Sequence, residues 1–190
     1  MSAPLCICAS IPRLTTATSV IVLMHHREVK MPTNTGRLAH RCLVNSRLIL
    51  RGLKDDPAEI DPETAFAGTP LLLHPTDDAI ELDEDFRARI PPPYTLIVPD
   101  GSWRQASKMG SREASLRSIV RVKLGVQAQA PSRYQLRKET KPGGLATIEA
   151  IARALGFLES PGSEAKAALD TIFALMVERT LRSRGVTPAS

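Results

Sequence analysis

An acid, a glycine, a hydroxyl and a large ring stand in a row at Asp100, Gly101, Ser102 and Trp103, directly after the apolar run YTLIV. A carboxylate placed where a buried strand meets its loop can act as a general base. Glycine lets backbone approach a ligand closely, and serine here caps the helix expected over SWRQASKMGSREA (102–114). Asp100 is therefore the candidate catalytic group. Trp103, the only tryptophan in the chain, has two readings, a helix residue packed into the core or a brace for the loop or a substrate ring.

Other stretches offer weaker chemistry. In HHREVKMPTNTGRL, His25 and Glu28 can work together after a strand, Asn34 and Thr35 can hold an anion at a helix start, and Arg37 adds charge. The plain alternative is a surface loop capped by Thr33 or Asn34. HPTDD is either a ligand loop or a turn broken by Pro75 with Thr76 or Asp77 as a cap. SRYQLRKETKPGGLATIEA joins a basic stretch, a glycine pair and a helix start. Thr147 lies near that start. Glu149 falls in the first turn or two, where an acid is also favourable for the helix alone. Arg133 and Arg137 would otherwise be a solvated face.

Metal and phosphate-loop signals are poor. Cys6 and Cys8 form only C-x-C, half of what a structural zinc site requires. Cys42 falls on a helix face and reads as a buried thiol. The four histidines are scattered, and no HExxH is present, so no metal is expected. No GxGxxG follows a strand, and no Walker A loop exists.

These groups need elements to position them. SVIVLMHH (19–26), TPLLLHP (69–75) and YTLIVPD (94–100) read as strands buried on both faces. RLILRG (47–52) and SIVRVKL (118–124) read as further strands. Helices are expected at 33–46, 102–114, 145–159 and 164–185, the last two as a hairpin across SPGS. The acidic DDAIELDEDFRARIPPP should be surface. Strands alternating with helices predict an α/β domain with a mostly parallel sheet flanked by helices. In such sheets, ligands bind beyond the carboxyl ends of the strands. HHRE, LHPTDD and PDGSW all fall at strand ends.

Length and composition agree with one domain. The chain has 190 residues, of which 43% are hydrophobic and 24% charged. No apolar run is long enough to span a membrane, the N-terminus lacks the order of a signal peptide, and three cysteines do not make a secreted disulfide framework. The cytoplasm is the expected location. The net charge of +5 fits either an acidic partner such as nucleic acid or a mildly basic enzyme. Basic residues concentrate in 111–123 and 132–141. The 4% aromatic content disfavours a surface that stacks many bases.

Taken together, CICASIPRL, HHREVKMPTNTGRL, LLHP, LIVPDGSWRQASKM, SRYQLRKE and LATIEA, in this order from residue 6 to about 155, resemble the DTW-domain family. The family's Asp-x-Thr-Trp is matched by Asp100, Gly101, Ser102 and Trp103, with serine for threonine. Its Ser-Thr-x-Glu-Ala is matched by Ala146, Thr147, Ile148, Glu149 and Ala150, with the first serine lost. Its C-x-x-C before the C-x-C has no match. The resemblance implies one SPOUT-like domain over 1–190 with a knotted C-terminal region, a truncated C-x-C segment at 1–16 and a C-terminal helix at 160–190. It implies RNA modification with S-adenosylmethionine: transfer of the 3-amino-3-carboxypropyl group to a uridine of tRNA.

By that resemblance, Asp100 takes the uridine N3 proton. Leu73, His74, Pro75, Val98, Gly101, Ser102, Trp103, Leu136, Thr147 and Glu149 lie along the loops that hold the cofactor. Arg37, Arg133 and Arg137 are candidates for phosphates or the cofactor carboxylate, beside His25, Glu28, Asn34 and Thr35 on the substrate side. A SPOUT-like RNA methyltransferase and a non-catalytic RNA-binding module are the alternatives. Monomer and homodimer both stay open.

Overall fold

A computed structural model describes residues 5–53, 60, 66–125, 132, 134, 136 and 144–186. Its elements in chain order are β1 (Ser19–His25), α1 (Thr35–Cys42), β2 (Ser46–Arg51), β3 (Thr69–Leu73), β4 (Ile80–Leu82), α2 (Phe86–Arg89), β5 (Tyr94–Asp100), α3 (Trp103–Arg112), β6 (Val120–Leu124), α4 (Thr147–Leu158) and α5 (Ala165–Ser183). Six strands form one sheet in the order β2-β1-β5-β3-β6-β4, and every described pairing is parallel. This is the expected α/β fold.

The continuous apolar runs follow from burial on both sheet faces. Along β1, Val20 and Val22 belong to the larger core, with Leu71, Leu96 and Val122 from neighbouring strands and Ile151, Leu155, Leu169 and Phe173 from α4 and α5. Ile21 and Leu23 point the other way, into a smaller core with Leu72, Ile97, Met109 of α3, Leu116 and Ile119. Helices α1, α4 and α5 thus cover one face and α3 covers the other. The two long C-terminal helices pack together as the hairpin expected from SPGS.

Strand β5 arrives late in the chain yet lies between β1 and β3. Its register sets Met24 beside Asp100 and Leu72 beside Ile97. The carboxyl ends of β1, β5 and β3 therefore stand side by side near the point where strand order reverses, the usual place for a ligand in an open parallel sheet.

Two expectations need correction. The acidic stretch after residue 76 is not all surface: it supplies the edge strand β4 and the turn α2, and Leu82 and Phe86 are fully buried. Its charges mask a short apolar pattern, because only one face of an edge element needs to be covered. The first helix is shorter than 33–46. Asn34 caps it, and the chain leaves it at Leu43 to bridge Leu14 before entering β2. Ser46 Oγ donates to the carbonyl of Leu43 at 2.6 Å and lies 3.0 Å from that of His40, meeting a group that a helix end leaves open.

Edge strand β2 is tied to α3 by an ion pair. Arg51 Nε donates to Glu113 Oε2 at 2.9 Å, with side chains only 7% and 13% exposed. Glu113→Ala leaves the arginine buried without its acid and should lower unfolding free energy by on the order of 3 kcal/mol. Urea denaturation checks this. A midpoint equal to wild type would show that the pair is not structural.

Candidate active site at the strand ends

Asp100 is the last residue of the central strand β5 and is 4% exposed. Its Oδ2 accepts from Asn34 Nδ2 at 2.7 Å, and its Oδ1 accepts from Thr147 Oγ1 at 2.5 Å. Asn34 is the N-cap of α1, and Thr147 is the first residue of α4. One carboxylate thus joins the start of two helices to the end of the central strand. Both helix starts bring partial positive charge toward that carboxylate.

Asn34 has no freedom in this arrangement. Its Oδ1 accepts the Arg37 N–H at 2.7 Å as the helix cap, so its amide NH₂ must face the acids. The same Nδ2 also donates to Glu28 Oε2 at 3.3 Å. Glu28 is buried as well, so one amide bridges two buried carboxylates. Sequence placed Asn34 at a helix start facing an anion. In the structure its amide faces the carboxylates of Asp100 and Glu28.

Gly36 explains how the acid fits. A Cβ at this position would lie 2.8 Å from Asp100 Cγ and 2.9 Å from Oδ2. The carboxylate therefore rests on the first turn of α1 where a side chain would otherwise stand. Gly101 serves a similar need: a Cβ there would meet Gln105 Oε1 at 3.0 Å and His25 Cβ at 3.3 Å. Its lack of a side chain admits neighbouring protein groups. Ser102 caps α3 as expected, in a reciprocal box in which the Ser102 N–H donates to Gln105 Oε1 at 2.7 Å.

The remaining expected residues divide. His25 accepts the Arg27 N–H at Nδ1 and sits beside the ring of His26. Arg37 donates through one terminal nitrogen to the carbonyls of Glu28, Val29 and Met31, so it braces the loop after β1. Thr35 is buried in the first turn of α1. His74 pairs its backbone N–H with Val122 O at 3.0 Å, and its ring lies 6.4 Å from that of Trp103. Trp103 is half-buried and belongs to neither core, so it is not a core residue. Pro75 is exposed. Leu73, Val98 and Leu136 belong to the main core, so they would meet a ligand through their main chain. Arg133 and Arg137 lie outside the described residues.

Glu149 caps its own helix. Its Oε2 accepts the Ala146 N–H at 2.9 Å and the Ser132 hydroxyl at 2.6 Å. Alanine at the N-cap has no acceptor to return, so only the acid half of a capping box operates. Tyr134 follows Ser132 and donates to Thr33 O at 2.7 Å, while its ring lies 5.8 Å from that of Phe173. Ser132 and Tyr134 therefore connect α4, α5 and the start of α1. Sequence reasoning missed both, since a lone Ser and Tyr in a basic stretch carry no period. Gly36 did leave a signal, because glycine in a helix costs about 1 kcal/mol relative to alanine and so implies a reason to be there.

Away from this site, Cys6 and Cys8 are exposed and Cys42 is buried. Hydrogen bonding to the Cys6 thiol, with help from Arg41, holds the Cys8 thiol below its ordinary range. Burial pushes Cys42 up to about 11.

Chemically, the strand ends offer two buried acids linked by one amide, a threonine hydroxyl on the central acid, and two helix starts. Such a place can attract a cationic group, anchor an anion on main-chain N–H groups, and take up a proton.

A family model described as "DTW domain" matches residues 1–181 of the chain. The chain is 30% identical over 199 residues to tRNA-uridine aminocarboxypropyltransferase A of Arabidopsis thaliana, covering 91% of this chain and 75% of the relative. It is 30% identical to tRNA-uridine aminocarboxypropyltransferase 2 of Drosophila melanogaster, covering 82% of this chain and 62% of the relative. For the Macaca fascicularis protein of the same name the identity is 28%, and the chain spans 53% of its length. No solved structure matches the chain.

Gly36→Ala separates the site from ordinary helix energetics. Elsewhere in a helix this change favours the fold by up to about 1 kcal/mol. Here it should destabilise the protein, because the new methyl displaces the Asp100 carboxylate. Thermal melting checks the sign: a raised melting temperature would mean that the carboxylate does not rest on α1.

Proposed function

Since this chain belongs to the DTW-domain family, we propose that it transfers the 3-amino-3-carboxypropyl group of S-adenosylmethionine to N3 of a uridine in tRNA. The names of its relatives support the reaction. The observation that carries the reading to particular residues is the buried Asp100 carboxylate at the end of β5, held by Asn34 and Thr147.

The donor set fits the cofactor. S-adenosylmethionine carries a sulfonium, an ammonium and a carboxylate. Asp100 and Glu28 complement the cations, and the main-chain N–H groups that begin α1 and α4 complement the carboxylate. The backbone at Leu73, His74, Pro75 and Val98, the turn Gly101–Ser102, the ring of Trp103, and Leu136, Thr147 and Glu149 are the groups proposed to enclose it. When bound, it supplies a methylene carbon made electrophilic by the adjacent sulfonium, with methylthioadenosine as leaving group.

The chain's own part is to make uridine nucleophilic and to align it. Uridine N3 is a poor nucleophile until its proton leaves. Asp100 takes that proton, and a positioned base contributes on the order of 10²–10⁴-fold. An ionised carboxylate offers about four acceptor positions, so the bonds from Asn34 and Thr147 do not saturate it and instead fix its direction. His25, Glu28, Asn34, Thr35 and Arg37 shape the side from which the base enters, and Arg133 and Arg137 are proposed to hold RNA phosphate. Alignment supplies much of the remaining acceleration. Such an enzyme works where tRNA is, which for this chain we propose is the cytoplasm, with no membrane partner.

Incubation of the protein with unmodified tRNA and S-adenosylmethionine, followed by nucleoside mass spectrometry, tests this reading. A uridine that gains one aminocarboxypropyl group is expected. A gain of a single methyl group would replace the reading with a methyltransferase, and no gain at all would leave an RNA-binding module.

A further inference from the structure

Helix α3 begins at Trp103, immediately beyond the Asp100 turn, and packs Ala106, Met109 and Gly110 inward. Its opposite face carries Arg104, Lys108 and Arg112 at four-residue spacing, with Ser107 and Ser111 beside them, all exposed. Four residues on a helix return to nearly the same face, so the three cations form one stripe about 12 Å long. Arg117, also exposed, follows the helix.

Among the described residues, the stripe has no acidic counterpart. Helix α3 contains no acid, and Glu113 at its end is turned to Arg51. Among the described residues, no ion pair joins Arg104, Lys108, Arg112 or Arg117 to a carboxylate. Helix α5 shows the contrast, since its exposed charges pair at the same spacing, Lys166 with Asp170 at 2.8 Å and Arg182 with Glu178 at 2.7 Å. Arg112 in the last turn suits the helix dipole, but for the fold alone the rest of the α3 pattern is unfavourable. Like charges four apart repel, and a cation at the second helical position opposes the helix dipole. An arrangement that costs local stability and starts at the mouth of the site points to a use outside the fold.

We infer that the exposed face of α3 is an RNA-docking track: Arg104, Lys108 and Arg112, extended by Arg117, hold the phosphodiester backbone of the substrate RNA and lead it to Asp100. This rests on the RNA reading above. The occupant is a polyanion held by charge, because the face is basic and hydroxylic, with Trp103 at its start the one aromatic ring on the helix.

The test uses the full chain, an unmodified tRNA transcript, and the double variant Lys108→Ala/Arg112→Ala. Affinity is measured across a range of salt concentrations, with single-turnover and steady-state rates and melting temperature alongside. The variant should bind tRNA at least about tenfold more weakly at low salt, and its log–log salt slope should be shallower by nearly one for each phosphate it no longer neutralises. KM for tRNA should rise while kcat at saturating tRNA stays near wild type. Arg104→Glu, which relieves the repulsion, should weaken binding while leaving the melting temperature unchanged or higher. Unchanged affinity and unchanged slope in the double variant would overturn the track. If wild-type protein makes the modified uridine and the variants bind normally, only the track fails. If wild-type protein makes no modified uridine yet the variants lose binding and slope, the track stands and the transferase reading fails.

Discussion

The hydrogen-bonded carboxylate of Asp100 connects parts of the chain that have little else in common. It ends the central strand, receives the N-cap amide of α1 on one oxygen and the first hydroxyl of α4 on the other, and lies against the bare Cα of Gly36. A buried ionised group is costly unless it is paired or hydrogen-bonded. Two side-chain donors and two helix starts meet that need together. The same contacts aim the group, because helices packed on the sheet cannot shift without breaking them. Tethering and the proposed reactivity therefore depend on one arrangement, and the hydrophobic cores on both sheet faces hold it rigid.

Charge is distributed around this point unevenly. Two acids, Asp100 and Glu28, are buried together through Asn34, while the exposed surface running away from them along α3 is basic. An interior that is acidic and an approach that is basic suit a reaction between a cationic donor and a polyanionic acceptor. The helix that carries the basic stripe is also the one that Ser102 caps, so the strand-end turn and the approach to it are one continuous piece of chain.

Much of this was legible in the sequence. Apolar runs such as SVIVLMHH and YTLIV have to be strands buried on both faces, and the strand–helix alternation then leads to a parallel sheet with Asp100 at a strand end. The caps could be read too, since Ser102 and Asn34 each stand just before a helical run. The order of the strands was not readable, because insertion of β5 between β1 and β3 depends on long-range packing. Edge strand β4 was hidden by its acids. The meeting of Asn34, Glu28, Thr147 and Asp100 was also hidden, since these residues are distant along the chain and only the fold joins them. Arg37 shows a second role that its type did not announce, since one terminal nitrogen of its guanidinium donates to carbonyls of the loop after β1.

Asp100 is proposed to remove a proton as well as anchor the helices. The single-turnover rate of aminocarboxypropyl transfer to tRNA, compared between wild type and Asp100→Asn with folding verified by circular dichroism, addresses it most directly. A folded variant slowed by on the order of 10²–10⁴-fold is expected. A folded variant that turns over near the wild-type rate would contradict it, and Asp100 would then be an anchor alone.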